Sequence, residues 1–197
     1  MNNKIANIIV GYIDDLHWID KLAGLTQVAK INQKSGDGTV EKRYPVSCAV
    51  TLEDCVEGCY NDLAPNSAYQ SVVYFEDGGL SFVRQAGNKL YYESTLKLIA
   101  WLNYKKLGGG CGSTGNYIID IIRALPTYPV SIDDLLGVNI RVVSQMIRSD
   151  SIFSQYTYNE PVTQFLLLPY DFFSLEIKTN FYLIPACVED TSGCLEC

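Results

Sequence analysis

The segment Phe173–Leu183 constrains the fold more than any other, because an apolar or β-branched residue occupies every second position. These positions hold Phe173, Leu175, Ile177, Thr179, Phe181 and Leu183, and Ser174, Glu176, Lys178, Asn180 and Tyr182 lie between them. A helix cannot present residues of this period on one side, whereas a half-buried antiparallel strand requires it. The chain is therefore predicted to build an ordered β-sheet with one wet face.

The composition is typical of one globular domain spanning residues 1–197. Apolar residues make up 48% of the 197 residues and charged residues 19%, which excludes a disordered or coiled-coil chain. The net charge of −7 makes the chain a poor candidate for wrapping a duplex, since such binding depends on Lys and Arg. The 14 tyrosines favour a surface covered by a partner, or else the outer faces of strands.

The N-terminus does not have the pattern of a secretory leader. Its apolar run stops at Ile13, Asp14 and Asp15 follow, and no small-residue cleavage site is present. No apolar run reaches the roughly 18 residues of a membrane span. The sequence therefore predicts a protein of a reducing, cytosol-like compartment without a membrane partner.

The cysteines are the candidate metal ligands. Cys55-x3-Cys59 and Cys194-x2-Cys197 could together supply four thiolates to one zinc ion. The spacing of Cys55 and Cys59 is loose for a zinc knuckle, and Cys197 is the last residue. Free thiols are the alternative, as expected in a reducing compartment.

The first third of the chain is predicted to contain one helix and two strands. Residues 3–23 carry an apolar stripe at helical spacing, and residues 25–31 alternate as in a strand. A second strand over Glu41–Leu52 is interrupted by Pro45, which favours an edge or a bulge. Residues 53–69 are predicted to form a long acidic loop.

The sequence Asp77-Gly78-Gly79 is a strong hairpin signal. It lies between the strand-like segments Ser71–Glu76 and Leu80–Arg84. Gly87-Asn88 marks a further turn, and Leu90–Tyr104 continues the meander as a strand.

The second half of the chain is predicted to add one helix and further strands. A glycine-rich loop at residues 105–115 precedes a helix over residues 116–125, capped by Asn116 and ended by Pro126. The remaining segments are a helical turn at Ser131–Leu136, strands over Val138–Arg148 and Val162–Leu168, and a Cys-bearing tail, residues 185–197. The order of elements predicts an α+β fold: a mostly antiparallel β-sheet meander packed with the N-terminal and mid-chain helices.

No motif predicts catalysis or a cofactor. Gly110 and Gly115 have the spacing of a phosphate-binding loop, but no lysine follows Gly115. His17 is the only histidine, and no nucleophile signature surrounds any cysteine. The acidic residues of the 53–69 loop lack calcium-loop spacing. The chain is thus predicted not to be an enzyme, although a small cysteine- or zinc-dependent enzyme and a monomeric protein-binding module remain alternatives.

The order of elements resembles the tail-terminator and neck (head–tail connector) proteins of tailed bacteriophages. The resemblance comprises the leading amphipathic helix, the meander containing an Asp77-Gly78-Gly79 hairpin, the strand carrying Trp101-Leu102-Asn103, the helix at 116–125 and the two closing strands. It covers most of the chain, and it brings no catalytic motif.

This resemblance implies a structural virion protein that forms a ring of identical subunits at the phage head–tail junction. Adjoining portal, neck or tail proteins are the implied partners, and DNA passes through the ring without sequence-specific binding. A net negative chain suits that role, because DNA has to slide through without being gripped. Synthesis in the host cytoplasm and incorporation into the virion follow from the same resemblance.

Overall fold

Seven strands form one sheet in the computed structural model, which describes residues 1–35, 38–47, 63–108, 113–158 and 160–185. The strands are β1 (Lys21–Ser35), β2 (Gly38–Ser47), β3 (Ser71–Ala86), β4 (Lys89–Asn103), β5 (Val130–Ile132), β6 (Leu135–Ile147) and β7 (Tyr170–Leu183). The helices are α1 (Asn2–Ile13), α2 (Tyr104–Leu107), α3 (Thr114–Ala124) and α4 (Glu160–Thr163), and short 3-10 turns span Asp150–Phe153 and Gln164–Leu166.

The strand order is β2-β1-β3-β4-β7-β6-β5. Every neighbouring pair is antiparallel except β1 and β3, which run parallel. The sheet is therefore mixed but mostly antiparallel, and an N-terminal and a mid-chain helix accompany it. This architecture confirms the predicted α+β fold class.

The pairing of β4 with β7 forms the centre of the sheet. It runs in unbroken register from Leu90 opposite Leu183 to Asn103 opposite Tyr170. The alternating apolar residues of β7 lie on the face that α1 and α3 cover, here called the helix face. They pack there in one core with Ile5, Ile9 and Ile13 of α1 and with Ile118 and Ile121 of α3. The period-two pattern thus correctly predicted a strand and its packed face.

A second layer covers part of the opposite face of the sheet, here called the loop face. Residues of β3, β4 and β7, including Tyr74, Trp101 and Phe172, pack there against Ile152 and Phe153 of the first 3-10 turn. The indole Nε1 of Trp101 donates a hydrogen bond to the Phe165 carbonyl at 2.6 Å. The solvent-exposed face that was expected for β7 is therefore limited to the part of the strand beyond Ser174.

The first helix is shorter than predicted, since α1 ends at Ile13 rather than near residue 23. Successive turns follow it, with the Leu16 amide donating to the Ile13 carbonyl and the Ile19 amide to the Leu16 carbonyl. The hydroxyl of Ser71 then donates to the Trp18 carbonyl at 2.8 Å, which ties these turns to the start of β3. Leu16 and Ile19 still pack against the core, so the apolar stripe continues beyond the helix.

The predicted hairpin at Asp77-Gly78-Gly79 is wrong. Strand β3 continues through this sequence to Ala86 with a register shift against β4, and the hairpin turn lies at Gly87-Asn88. The Asp77 carboxylate accepts hydrogen bonds from the Gly79 amide at 2.8 Å and from the Asn2 side chain at 2.6 Å. These contacts stabilise a β-bulge that is tied to the N-terminus of α1.

Two predictions in the second half are also wrong. The expected helical turn at Ser131–Leu136 is the β5–β6 hairpin, in which Asp133 has a φ of 52° and Lys4 of α1 pairs with Asp134 at 2.8 Å. The expected strand Val162–Leu168 is instead the helix α4 and the following 3-10 turn. In the first segment, the positive φ of Asp133 and the contact with Lys4 outweigh the local pattern.

The remaining predicted elements are present with altered bounds. Strand β2 lies at the sheet edge, as Pro45 indicated, and ends at Ser47, while residues 48–62 lie outside the described part of the chain. Helix α3 begins at Thr114, two residues before the predicted cap, and ends before Pro126. The predicted loop at 105–115 begins within α2, and its residues 109–112 are not described.

The alternation in β7 predicts losses of stability of very different size at neighbouring positions. Replacing the fully buried Ile177 by Ala should lower the free energy of unfolding by about 2–5 kcal/mol, because a cavity is left in the core. Replacing Lys178 by Ala removes only a partly exposed ion pair with Glu93 and should cost about 0–1 kcal/mol. Chemical denaturation of both variants measures the difference, and equal losses would contradict the assignment of faces.

The bulge in β3 predicts an effect of opposite sign for the same substitution at two glycines. A Cβ at Gly78 would lie 2.9 Å from the Thr95 carbonyl oxygen, so Gly78→Ala should destabilise the fold by about 1–3 kcal/mol. A Cβ at Gly11 in α1 meets no atom within 4 Å, so Gly11→Ala should stabilise it by about 0.5–1 kcal/mol. Thermal and chemical denaturation test both, and a tolerated Gly78→Ala would disprove the close approach to β4.

Candidate assembly interface

The outer half of β3 is an open strand edge among the described residues. Strand β1 pairs with β3 only from Lys21 opposite Val72 to Leu25 opposite Phe75. The Thr26 hydroxyl then donates to the Phe75 carbonyl at 2.8 Å, and β1 continues as a separate hairpin with β2. Residues Leu80–Ala86, here called the β3 edge, pair with β4 on one side and with no described strand on the other.

The β3 edge carries exposed apolar side chains. Phe82 and Val83 are each 57% exposed, and Leu80 is also exposed. The ring of Phe82 contacts the Tyr92 ring edge-on at 5.6 Å, and Tyr92 stacks on Phe181 at 5.7 Å. Since Phe181 belongs to the core under α1, this row of rings places Phe82 on the helix face.

A second open edge lies on the opposite side of the sheet. The short strand β5 pairs with Leu135 and Val138 of β6. The following residues, Asn139–Ile147, pair with β7 alone within the described ranges and are here called the β6 edge. Val143, a bulged residue, is 49% exposed on this edge, and Met146 and Ile147 are exposed as well.

A partly apolar groove runs beside the β6 edge on the helix face. Helix α3 buries Ile118 and Ile121 in the core but exposes Ile119 and Ile122. The groove lies between the end of α3 and β6 and has a volume of about 620 Å³. Its lining is mixed: Ile122, Leu125, Pro126, Ile140, Val142 and Val143 are apolar, and Thr127, Asn139, Arg141, Ser144 and Gln145 are polar. A pocket of this size with an apolar side can accept a large apolar side chain.

The strand at the end of the sheet, β2, is protected by comparison. Pro45 has no backbone N–H to offer, and Arg43 exchanges both of its backbone hydrogen bonds with Thr157. The Arg43 side chain pairs with Glu41 at 2.8 Å. Proline and charged side chains are common devices against unwanted pairing. The β3 and β6 edges lack a proline and carry exposed apolar side chains, although each also has one exposed arginine, Arg84 and Arg141.

The cysteines predicted as zinc ligands, Cys55, Cys59, Cys194 and Cys197, lie outside the described residues, as do the acidic residues Glu53, Asp54, Glu57 and Asp62. Within the described ranges, no group of three or more His, Cys, Asp and Glu side chains is placed to hold a metal ion. His17 is exposed in the turns after α1, where its carbonyl accepts a hydrogen bond from Gln70.

A buried tyrosine cluster on the loop face is a structural feature. Burial raises the pKa of Tyr74, Tyr156 and Tyr158 above the usual range for tyrosine. The Tyr156 hydroxyl donates to Glu76 at 2.8 Å, and Lys97 lies 3.4 Å from the same carboxylate. These tyrosines therefore stay protonated at neutral pH and hold the segment after β6 against the sheet.

The ion pair between α1 and the β5–β6 turn also has a structural role. Lys4 donates a hydrogen bond to Asp134 in the β5–β6 turn, which lowers the pKa of that carboxyl. The pair joins α1 to the hairpin that covers the start of β6. It thereby helps to fix where β5 ends and where the β6 edge begins.

The sequence prediction did not identify the residues of the two edges, although two signals were present. The isoleucine pairs Ile118-Ile119 and Ile121-Ile122 give α3 more apolar surface than one packed face needs. The adjacent residues Val142-Val143 likewise interrupt the alternation of β6. Such doublets indicate a second buried surface, and the structure leaves their outer members exposed.

Comparison of the chain with models of known protein families finds no match. Comparison with curated protein sequences finds no significant match either. None of the described helices combines the length and the apolar character required to cross a membrane.

The exposed ring on the β3 edge should contribute little to the stability of the isolated chain. Phe82→Ala should lower the free energy of unfolding by about 1 kcal/mol or less, because only the contact with Tyr92 is lost. Phe181→Ala, in the same row of rings but buried, should cost about 3–5 kcal/mol. Urea denaturation compares the two, and a loss at Phe82 as large as that at Phe181 would mean that the ring serves the fold.

Proposed function

We propose that this chain is a structural virion protein of a tailed bacteriophage, which assembles into a ring at the head–tail junction as a neck (connector) or tail-terminator protein. The observation that carries the proposal is the pair of open edges on opposite sides of one sheet. The β3 edge and the β6 edge consist of different residues, and both expose apolar side chains.

Two different edges on one subunit favour head-to-tail assembly. A contact between unlike surfaces leaves one edge of each kind free at the ends of any open chain of subunits. Such contacts propagate until the rotation closes a ring, or they continue as a filament. Exposed strand edges favour such contacts, because their unpaired backbone N–H and C=O groups can form hydrogen bonds with another strand.

The position at the head–tail junction rests on the order of elements. A leading helix, a central sheet with the Trp101-Leu102-Asn103 strand and a mid-chain helix are the elements of this chain that support the resemblance to tail-terminator and neck proteins. The adjoining portal, neck or tail proteins would contact the ring from above and below. The net charge of −7 supports a ring that lets DNA pass without gripping it. Synthesis in the host cytoplasm precedes incorporation into the virion.

The assembly is tested with the purified chain and two variants. Wild-type protein should form closed rings, measured by light scattering after size exclusion and by negative-stain electron microscopy. Val143→Lys should prevent ring formation, because a charge on the β6 edge opposes strand pairing. Leu167→Lys, at an exposed apolar residue that belongs to neither edge, should assemble as the wild type does. A wild-type chain that remains monomeric at all concentrations would contradict the proposal.

The location is tested in the virus particle. Antibody labelling of purified virions should mark the head–tail junction, and mass spectrometry should find the chain in the particles. Absence of the chain from purified virions, together with strand addition to another protein by the monomer, would favour the binding-module alternative.

A further inference from the structure

The directions of the strands make the two open edges compatible with each other. Strand β3 runs antiparallel to β4, β4 to β7 and β7 to β6, so β3 and β6 of one subunit point in opposite directions. When two subunits lie side by side in the same orientation, β6 of one and β3 of the next are therefore antiparallel. The alternation of strand directions then continues from one subunit into the next.

The open segments are also of similar length and lie at opposite ends of the sheet. Strand β1 covers the start of β3, and β5 covers the start of β6. Because β3 and β6 run in opposite directions, the open part of β3 lies at the end near Gly87 and the open part of β6 near Arg148. Their pairing requires neighbouring subunits to be staggered along the strands, as strands are staggered in a closed barrel.

On the helix face, the Phe82 side chain of one subunit is complementary to the groove beside α3 of the next subunit. Phe82 projects from the β3 edge on the helix face, where it is 57% exposed. The groove between α3 and β6 opens on the same face, beside the β6 edge. When two subunits have the same orientation, their helix faces lie on the same side of the combined sheet. Phe82 of one subunit therefore lies on the same side of the sheet as the groove of the next subunit. An exposed aromatic ring entering an apolar pocket is the usual anchor of a protein interface.

We infer that the β3 edge of one subunit adds to the β6 edge of the next copy as an antiparallel strand, with Phe82 seated in the groove beside Ile122 and Leu125. The inference rests on the proposed ring and identifies the surfaces that build it. The bulged residues Val83 and Val143 lie on the paired strands and bend them, which curves the combined sheet.

Two variants with one disabled edge each test this pairing. Phe82→Lys with Val83→Lys disables the β3 edge, and Val143→Lys with Ile147→Lys disables the β6 edge, because lysine protects natural edge strands. All four side chains are exposed, so both variants should fold, which circular dichroism and melting curves verify. Each variant alone should be monomeric. An equimolar mixture should yield dimers and nothing larger, since one intact β3 edge then meets one intact β6 edge.

The distribution of species distinguishes the possible failures. If the β3-edge variant alone dimerises, β6 pairs with β6, and if the β6-edge variant alone dimerises, β3 pairs with β3; either result would overturn the inference. A mixture that stays monomeric while the wild type forms rings would also overturn it and would leave the proposed ring intact. A wild type that forms no ring would refute the proposed function itself. Leu167→Lys provides the control for an added charge at an exposed apolar site.

Discussion

The unbroken pairing of β4 with β7 is the interaction on which the rest of the structure depends. It joins segments far apart in sequence, and both layers of the molecule form around it. Leu98 and Leu175 pack towards α1 and α3 on the helix face, whereas Trp101 and Phe172 pack under the 3-10 turns on the loop face. Residues that must fill a core on both faces have little freedom to vary in register, because a shift by one residue exchanges the two faces. The two strands at the centre therefore fix the positions of the strands outside them, including those with open edges.

The sequence predicted the elements whose pattern is repeated over many residues. The alternation in β7 is long enough to define its packed face, and Pro45 correctly indicated an edge strand. The errors occur where a short signal has two possible structures. Asp77-Gly78-Gly79 has the residues of a tight turn, yet the same carboxylate and glycines build a bulge once Asn2 contacts Asp77. That contact joins the start of the chain to the middle of the sheet, and local sequence contains no information about it.

The candidate interface was harder to predict than the fold for a related reason. An apolar residue in a strand indicates burial, but whether a neighbour within the same chain buries it depends on the strand order. Ile119 and Ile122 of α3 show the difficulty, because their spacing equals that of Ile118 and Ile121, which the core does bury. Among the described strands, the positions of β1 and β5 determine which stretches of β3 and β6 have no neighbour on one side. Doublets of large apolar residues in an otherwise periodic element are the signal that would have found these residues.

The divergence of β1 from β3 after Leu25 separates the shared part of the sheet from the β1–β2 hairpin. The Thr26 hydroxyl donates to the Phe75 carbonyl directly after the last β1–β3 pair, so the β1–β2 hairpin diverges from β3 at a defined residue. Up to that point β1 pairs with β3, and past it β1 pairs with β2 alone among the described strands. Insertions or deletions in the tips of the hairpins change their reach in steps of about 7 Å for each pair of residues added to a strand. A hairpin lengthened at its tip therefore extends further from the sheet while the pairing of β4 with β7 stays unchanged.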